Sequence, residues 1–76
     1  MKTYHVTYNN SYTKRQFIVA AHDQAEAEAE AYASECGELL DGTKYYPEAS
    51  DFTVVELVGC FNRQKQAGII QRIKQD

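Results

Sequence analysis

From the third residue onward polar and apolar side chains alternate. Tyr4, Val6 and Tyr8 fall on one side of the chain and Thr3, His5 and Thr7 on the other, which is the period of a half-buried strand. Asn9-Asn10-Ser11 breaks the alternation. Asparagine tolerates the left-handed backbone of tight hairpins, so Tyr12 to Ala21 is predicted to return antiparallel with Phe17, Val19 and Ala21 inward. At Asp23 the period changes. Asp23 followed three residues later by Glu26 is a capping-box-like start, and a helix is predicted from about Gln24 to Cys36. At 100° per residue Ala25, Ala29, Tyr32, Ala33, Cys36 and Leu40 gather on one face, while Asp23, Glu26, Glu28, Glu30, Glu35 and Glu38 spread over the opposite one. Alanine and glutamate both favour helix, and the alanines let it lie close on a sheet.

Gly37 and Gly42 are both candidates for a left-handed C-cap, and the pattern does not choose between them. A loop carrying Tyr45-Tyr46-Pro47 follows, up to Ser50. Phe52 to Val58 reads as a third strand, apolar on both faces except at Glu56, and is predicted to be covered on both sides. The cover is expected from the C-terminal segment. Its first reading is a helix from about Arg63 to Gln75, capped by Asn62, with Ile69, Ile70 and Ile73 as its apolar stripe. Gly68 in the middle weakens that helix, and a fourth strand after an Asn62 to Gly68 loop is the alternative. The expected fold is α+β: an antiparallel sheet of three or four strands with one acidic helix on it, in the order ββαβ followed by a helix or strand. With 76 residues it forms a single domain, a core over 1–60 and a basic segment over 61–76.

Net charge is only −3, but it is segregated. Between His22 and Glu56 ten carboxylates stand against Lys44 alone, a net of −9; the remainder sets Lys2, Lys14, Arg15, Arg63, Lys65, Arg72 and Lys74 against Asp76, a net of +6. An acidic helix face can steer association with a basic partner, although a solvated helix surface has the same composition. The overall acidity argues against direct nucleic-acid binding, for which only the basic tail offers phosphate contacts. No stretch approaches the roughly 20 apolar residues of a membrane span, and Met1-Lys2-Thr3-Tyr4 lacks the apolar run of a signal peptide, so a cytoplasmic setting is expected.

Candidate chemistry is sparse. His5, His22, Cys36 and Cys60 have none of the paired spacings of a zinc site, and the two cysteines are expected as buried thiols. No base or orienting group accompanies either thiol, the helix carboxylates are expected to keep ordinary pKa values, and the four glycines are scattered and form no phosphate loop. The expectation is therefore no catalysis, cofactor or metal. Six tyrosines and no tryptophan change the picture more. Tyr12, Tyr45 and Tyr46 fall at a turn and in a loop, where tyrosine serves as an interface anchor or folds back on its own loop.

The segments Phe17-Ile18-Val19-Ala20-Ala21, Asp23-Gln24-Ala25-Glu26-Ala27 and Asp51-Phe52-Thr53-Val54-Val55-Glu56-Leu57, in the order hairpin, acidic helix, strand, resemble several families of small phage and mobile-element proteins. These are phage inhibitors of bacterial RNA polymerase, the DpnD/PcfM-like family, and small anti-CRISPR proteins. The likeness spans roughly Lys2 to Val58; the longer loop from Gly37 to Ser50 and the basic tail depart from it, so no partner-binding residue carries over. The resemblance implies a domain that takes over a host machine in the bacterial cytoplasm by blocking a protein or ribonucleoprotein complex, a CRISPR effector or RNA polymerase. The expected partner-binding residues are Asp23, Glu26, Glu28, Glu30, Glu35, Glu38, Tyr45 and Tyr46. A homo-oligomer, such as a homodimer pairing through Phe52 to Val58 or the isoleucine stripe, and a nucleic-acid binder using the basic segment are the alternatives.

Overall fold

The computed structural model describes residues 1–73. Strands β1 (Lys2–Asn9) and β2 (Lys14–Ala21) form an antiparallel hairpin, and helix α1 (Gln24–Glu35) follows. Two short strands, β3 (Gly37–Glu38) and β4 (Lys44–Tyr45), pair with each other and lead through a 3-10 turn at Ala49–Asp51 into β5 (Phe52–Phe61). β6 (Gly68–Ile73) comes last. The main sheet has four antiparallel strands in the order β5-β1-β2-β6, so β1 and β2 are central and β5 and β6 are its edges. This is the expected α+β fold, with the order ββαβ extended by a final strand.

The alternation of β1 sets the core. Tyr4, Val6 and Tyr8 are buried beside their partners Val19, Phe17, Val54 and Phe52, under Ala27 and Ala31 of the helix. The hairpin is connected differently from expectation. No non-glycine residue has positive φ among the described residues; instead the Asn10 side-chain oxygen accepts from the amides of Tyr12 and Thr13 at 2.8 and 2.7 Å, and β2 starts at Lys14. An Asx turn thus replaces the left-handed turn.

The helix begins as the capping pattern predicts. Asp23 Oδ1 accepts from the Glu26 amide at 2.8 Å, while Glu26 Oε1 reaches one residue beyond the cap and accepts from the His22 amide at 2.9 Å. The helix ends at Glu35 with Cys36 in an extended conformation, so neither candidate glycine supplies a left-handed C-cap. Gly42, at φ 88°, serves the β3–β4 turn instead, where the Leu39 amide donates to the Thr43 carbonyl at 2.7 Å.

The face turned to the sheet is Ala27, Ala31 and Glu35. Of the predicted face only Tyr32 packs on the core; Ala25, Ala29, Ala33, Cys36 and Leu40 are exposed. The reason is the spacing of the alanines, which occupy every second position from Ala25 to Ala33 and so offer two stripes of similar apolarity. Packing of Tyr32 near Phe52, with ring centroids 5.9 Å apart, and the pairing of Glu35 decide between them.

The C-terminal segment is a strand, not the helix read first. β6 pairs with β2 through Val19↔Ile69 and Phe17↔Arg72, with a register shift between Ile18 and Val19, so the isoleucines join the edge opposite β5. Helix formation across Gly68 loses to ladder bonds that β2 offers along its free side. β5 is consequently covered by α1 on one face only, and Val55 and Val58 stand exposed, contrary to the expected double cover. Both cysteines are exposed too: Cys36 lies just past the helix and Cys60 beyond the Gly59 irregularity, where burial would need a second layer. Lys74, Gln75 and Asp76 of the basic segment lie outside the described residues.

Asp23→Ala removes the cap acceptor and is expected to lower stability by about 1 kcal/mol, read as a lower urea midpoint with unchanged slope.

Candidate functional site

The eight residues singled out in the sequence divide into four groups. Asp23, Glu28 and Glu30 carry carboxylates on the helix and its cap and Glu38 carries one on β3 just after it, and among the described residues none of the four forms an ion pair. Glu26 is tied to His22, whose Nδ1 lies 2.8 Å from Glu26 Oε1. The His22 amide, and then the His22 ring, hold the Glu26 carboxyl below the usual carboxylate range, which corrects the expectation of ordinary pKa values on this helix.

Glu35 departs from its expected role. It is buried, and its carboxylate pairs with the Arg15 guanidinium, itself about half exposed on β2. On the line Ala27, Ala31, Glu35 it is turned towards the sheet and not onto the solvent face where the sequence pattern put it. Arg15, counted in the sequence only towards net charge, is the ion-pair partner of Glu35 that pattern reading missed. The signal available was the four-residue spacing that places one acid on an alanine stripe.

Tyr45 and Tyr46 are 42% and 63% exposed, and Tyr12 stands almost fully in solvent. Tyr45 is nevertheless anchored. Its hydroxyl lies 2.8 Å from that of Tyr8, and Asn10 Nδ2 donates to the Tyr8 oxygen at 2.8 Å. Tyr8 is buried, so its own proton has to be used within the cluster, and Tyr8 therefore donates to Tyr45. Donation to Tyr45, together with burial, pushes the Tyr8 pKa up to about 12. The Tyr8 ring also stacks on Phe52 at 4.7 Å, so the cluster joins the hairpin end to the core.

Around these groups lies an open cavity of about 390 Å³, lined by Tyr8, Asn10, Thr13, Arg15, Glu35, Leu39 and Tyr45. A shallower groove of about 350 Å³ runs between α1 and the 3-10 turn, lined by Ala25, Glu28, Ala29, Tyr32 and Ala49. In the first cavity the Arg15–Glu35 pair is mutually neutralised and Tyr8 holds its proton, an arrangement suited to recognition by hydrogen bonds and aromatic contact. Among the described residues no three His, Cys, Asp or Glu side chains gather as a metal site. Of the basic residues, Arg63 and Lys65 are exposed in the β5–β6 loop, while Arg72 lies 5.7 Å over the Phe17 ring and Lys2 pairs with Glu56. No described helix is long and apolar enough to cross a membrane.

Comparison of the chain with models of protein families, with curated proteins and with solved structures finds no match. The class defined by the coordinates is thus an α+β domain with an acidic helix layer and a tyrosine-lined cavity beside it.

Two outcomes test this description. Arg15→Ala leaves a buried carboxylate unpaired and is expected to cost about 2–3 kcal/mol, below the figure for a fully buried pair because Arg15 is half exposed; Glu35→Gln leaves a cation that water can solvate and costs about 1 kcal/mol or less. Urea denaturation of both variants measures the asymmetry. In an ultraviolet titration one tyrosinate is expected to appear only near pH 12, and Tyr45→Phe moves it down. Because the folded pKa lies above the unfolded value near 10, the stability contributed by Tyr8 is fully present below pH 10 and lost as pH rises towards 12.

Proposed function

We propose that this chain is a non-enzymatic phage or mobile-element protein that binds a bacterial nucleic-acid-handling complex, a CRISPR effector ahead of RNA polymerase, and blocks it in the host cytoplasm. The observation that supports the reading is the set of carboxylates at Asp23, Glu28, Glu30 and Glu38, which form no ion pair among the described residues while Lys2, Arg15 and His22 pair with other acids. A channel that holds nucleic acid is lined with Lys and Arg, and an acidic helix layer presents to it the charge it normally receives from phosphates. Arg15–Glu35 and the Tyr8–Tyr45 bond hold the layer and the adjoining loop to the sheet, so little ordering remains to be done on binding. Tyr45 and Tyr46, together with exposed Leu39 and Leu40, supply apolar contact area beside the charge.

Direct nucleic-acid binding is less well supported, because Lys2 and Arg15 are engaged with carboxylates and Arg72 with the Phe17 ring.

The test is binding to purified guide-loaded CRISPR effectors and to RNA polymerase, with the complex's own nucleic acid as competitor. Changing Glu28, Glu30 and Glu38 together to lysine is expected to weaken binding at least ~10-fold, mainly through a slower association rate; the parent's rate falls as salt rises, whereas the variant's does not. If the triple variant binds every such complex as tightly as the parent, the acidic layer is not the docking surface.

A further inference from the structure

Glu35 has one oxygen to spare. Its side chain is only 5% exposed, and its Oε2 accepts from Arg15 Nη1. Among the described residues Oε1 accepts from no group, yet no buried polar side-chain atom there is left without a partner, so Oε1 is reached from outside. The way in is the cavity that Glu35 lines. Arg15 stands at the same cavity with 54% of its side chain exposed, and its bond to Glu35 leaves most of the guanidinium N–H donors unused. An acceptor and donors thus lie side by side in a concavity of about 390 Å³, whose apolar walls are Leu39 and the Tyr45 ring, 56% and 42% exposed. Apolar walls with a few convergent polar groups, at this volume, are the make-up of a small-ligand site.

We propose that this cavity binds an uncharged planar heterocycle carrying a ring N–H beside a carbonyl, the lactam edge of uracil or hypoxanthine, as the free base or nucleoside. The ring N–H donates to Glu35 Oε1, the carbonyl accepts from Arg15, and the ring lies against Tyr45. Charge selects a neutral ligand. Arg15 and Glu35 cancel, so an anion meets the Glu35 carboxylate, with Glu38 next to Leu39 on β3, and a cation meets the guanidinium. A phosphate on the ligand gains nothing here, which favours a nucleoside over a nucleotide or a strand. Hydrogen-bond counting selects the edge. One open oxygen matches one ring N–H, whereas an ammonium brings three donors and the amino group of adenine or cytosine two. A carboxamide has the same polar pair but no ring to cover Leu39 and Tyr45. Stacking on tyrosine then supplies contact that hydrogen bonds in an open cavity do not.

The test is a titration of the isotope-labelled full chain with uridine, followed by nuclear magnetic resonance. For so small a ligand the expected Kd is on the order of 0.1–1 mM. The amide signals of Asn10, Thr13, Arg15, Glu35, Leu39 and Tyr45 should move together. 3-Methyluridine keeps the ring and loses the N–H, and is expected to bind at least ~10-fold more weakly. Uridine 5′-monophosphate should bind no more tightly than uridine. Glu35→Gln keeps an oxygen for Arg15 but turns an NH₂ to the cavity, and should weaken uridine at least ~10-fold. Tyr45→Ala removes the stacking wall and should cost at least ~5-fold, while Tyr46→Ala, outside the cavity, leaves binding unchanged, with circular dichroism checking that each variant folds. No movement of these signals at about ten times the expected Kd, equal binding of 3-methyluridine, tighter binding of the monophosphate, or undiminished binding by folded Glu35→Gln overturns the proposal. The comparison of ligands needs no variant. The docking test changes Glu28, Glu30 and Glu38, none of which lines this cavity, so the two proposals fail separately.

Discussion

Glu35 lies under the helix with almost no access to water, and a carboxylate in that position requires a cation within reach. Arg15, on the adjacent strand of the hairpin, is that cation, and the pairing turns α1 so that the line Ala27, Ala31, Glu35 meets the sheet. Alanine stripes alone provide little apolar area and little preference between neighbouring faces. The rotation of the helix then decides which acids reach solvent. Were the alternative stripe packed instead, Glu28 and Glu30 would face other neighbours and the charge layer would be a different surface.

A second group of contacts works beside this pair. Tyr8 is at once a core residue, a stacking partner of Phe52 and a donor to Tyr45, so the excursion through β3 and β4 is fastened to the centre of the sheet by one hydroxyl. Tyr45 and the cavity wall it forms are therefore fastened to the hairpin.

The legible part of the fold was the part carried by local periodicity. Alternation in β1 and β2 and the Asp23–Glu26 pattern place the hairpin and the helix start correctly, because each depends on neighbours two to four residues away. What was not legible depends on distant partners. The choice between two alanine stripes rests on Arg15, twenty residues before Glu35. Gly68–Ile73 becomes a strand because β2 has an open side, a fact of topology that Gly68 hints at by weakening the helix but that no residue in the segment decides. Exposure of Val55 and of both cysteines has the same origin, since a strand pattern cannot say whether a second layer exists. For the site, the sequence marked the acids and tyrosines but assigned Glu35 to the wrong side and left Tyr8 as mere core.

The crossing from β5 to β6 has a kinetic consequence. These strands lie on opposite edges, so the chain between them passes the end of the sheet where β1 begins, and Asn62 fastens it there: its side-chain amide donates to the Lys2 carbonyl and to Thr3 Oγ1, and its backbone amide to the Met1 carbonyl. The hairpin forms from neighbours, whereas β5 and β6 each reach it only across a loop of about fifty residues, whose closure costs entropy before any ladder bond compensates it. Once β5 is docked and Asn62 is fastened to the start of β1, β6 is tethered beside its place on β2 by the short segment after Asn62, so one long closure serves both edges.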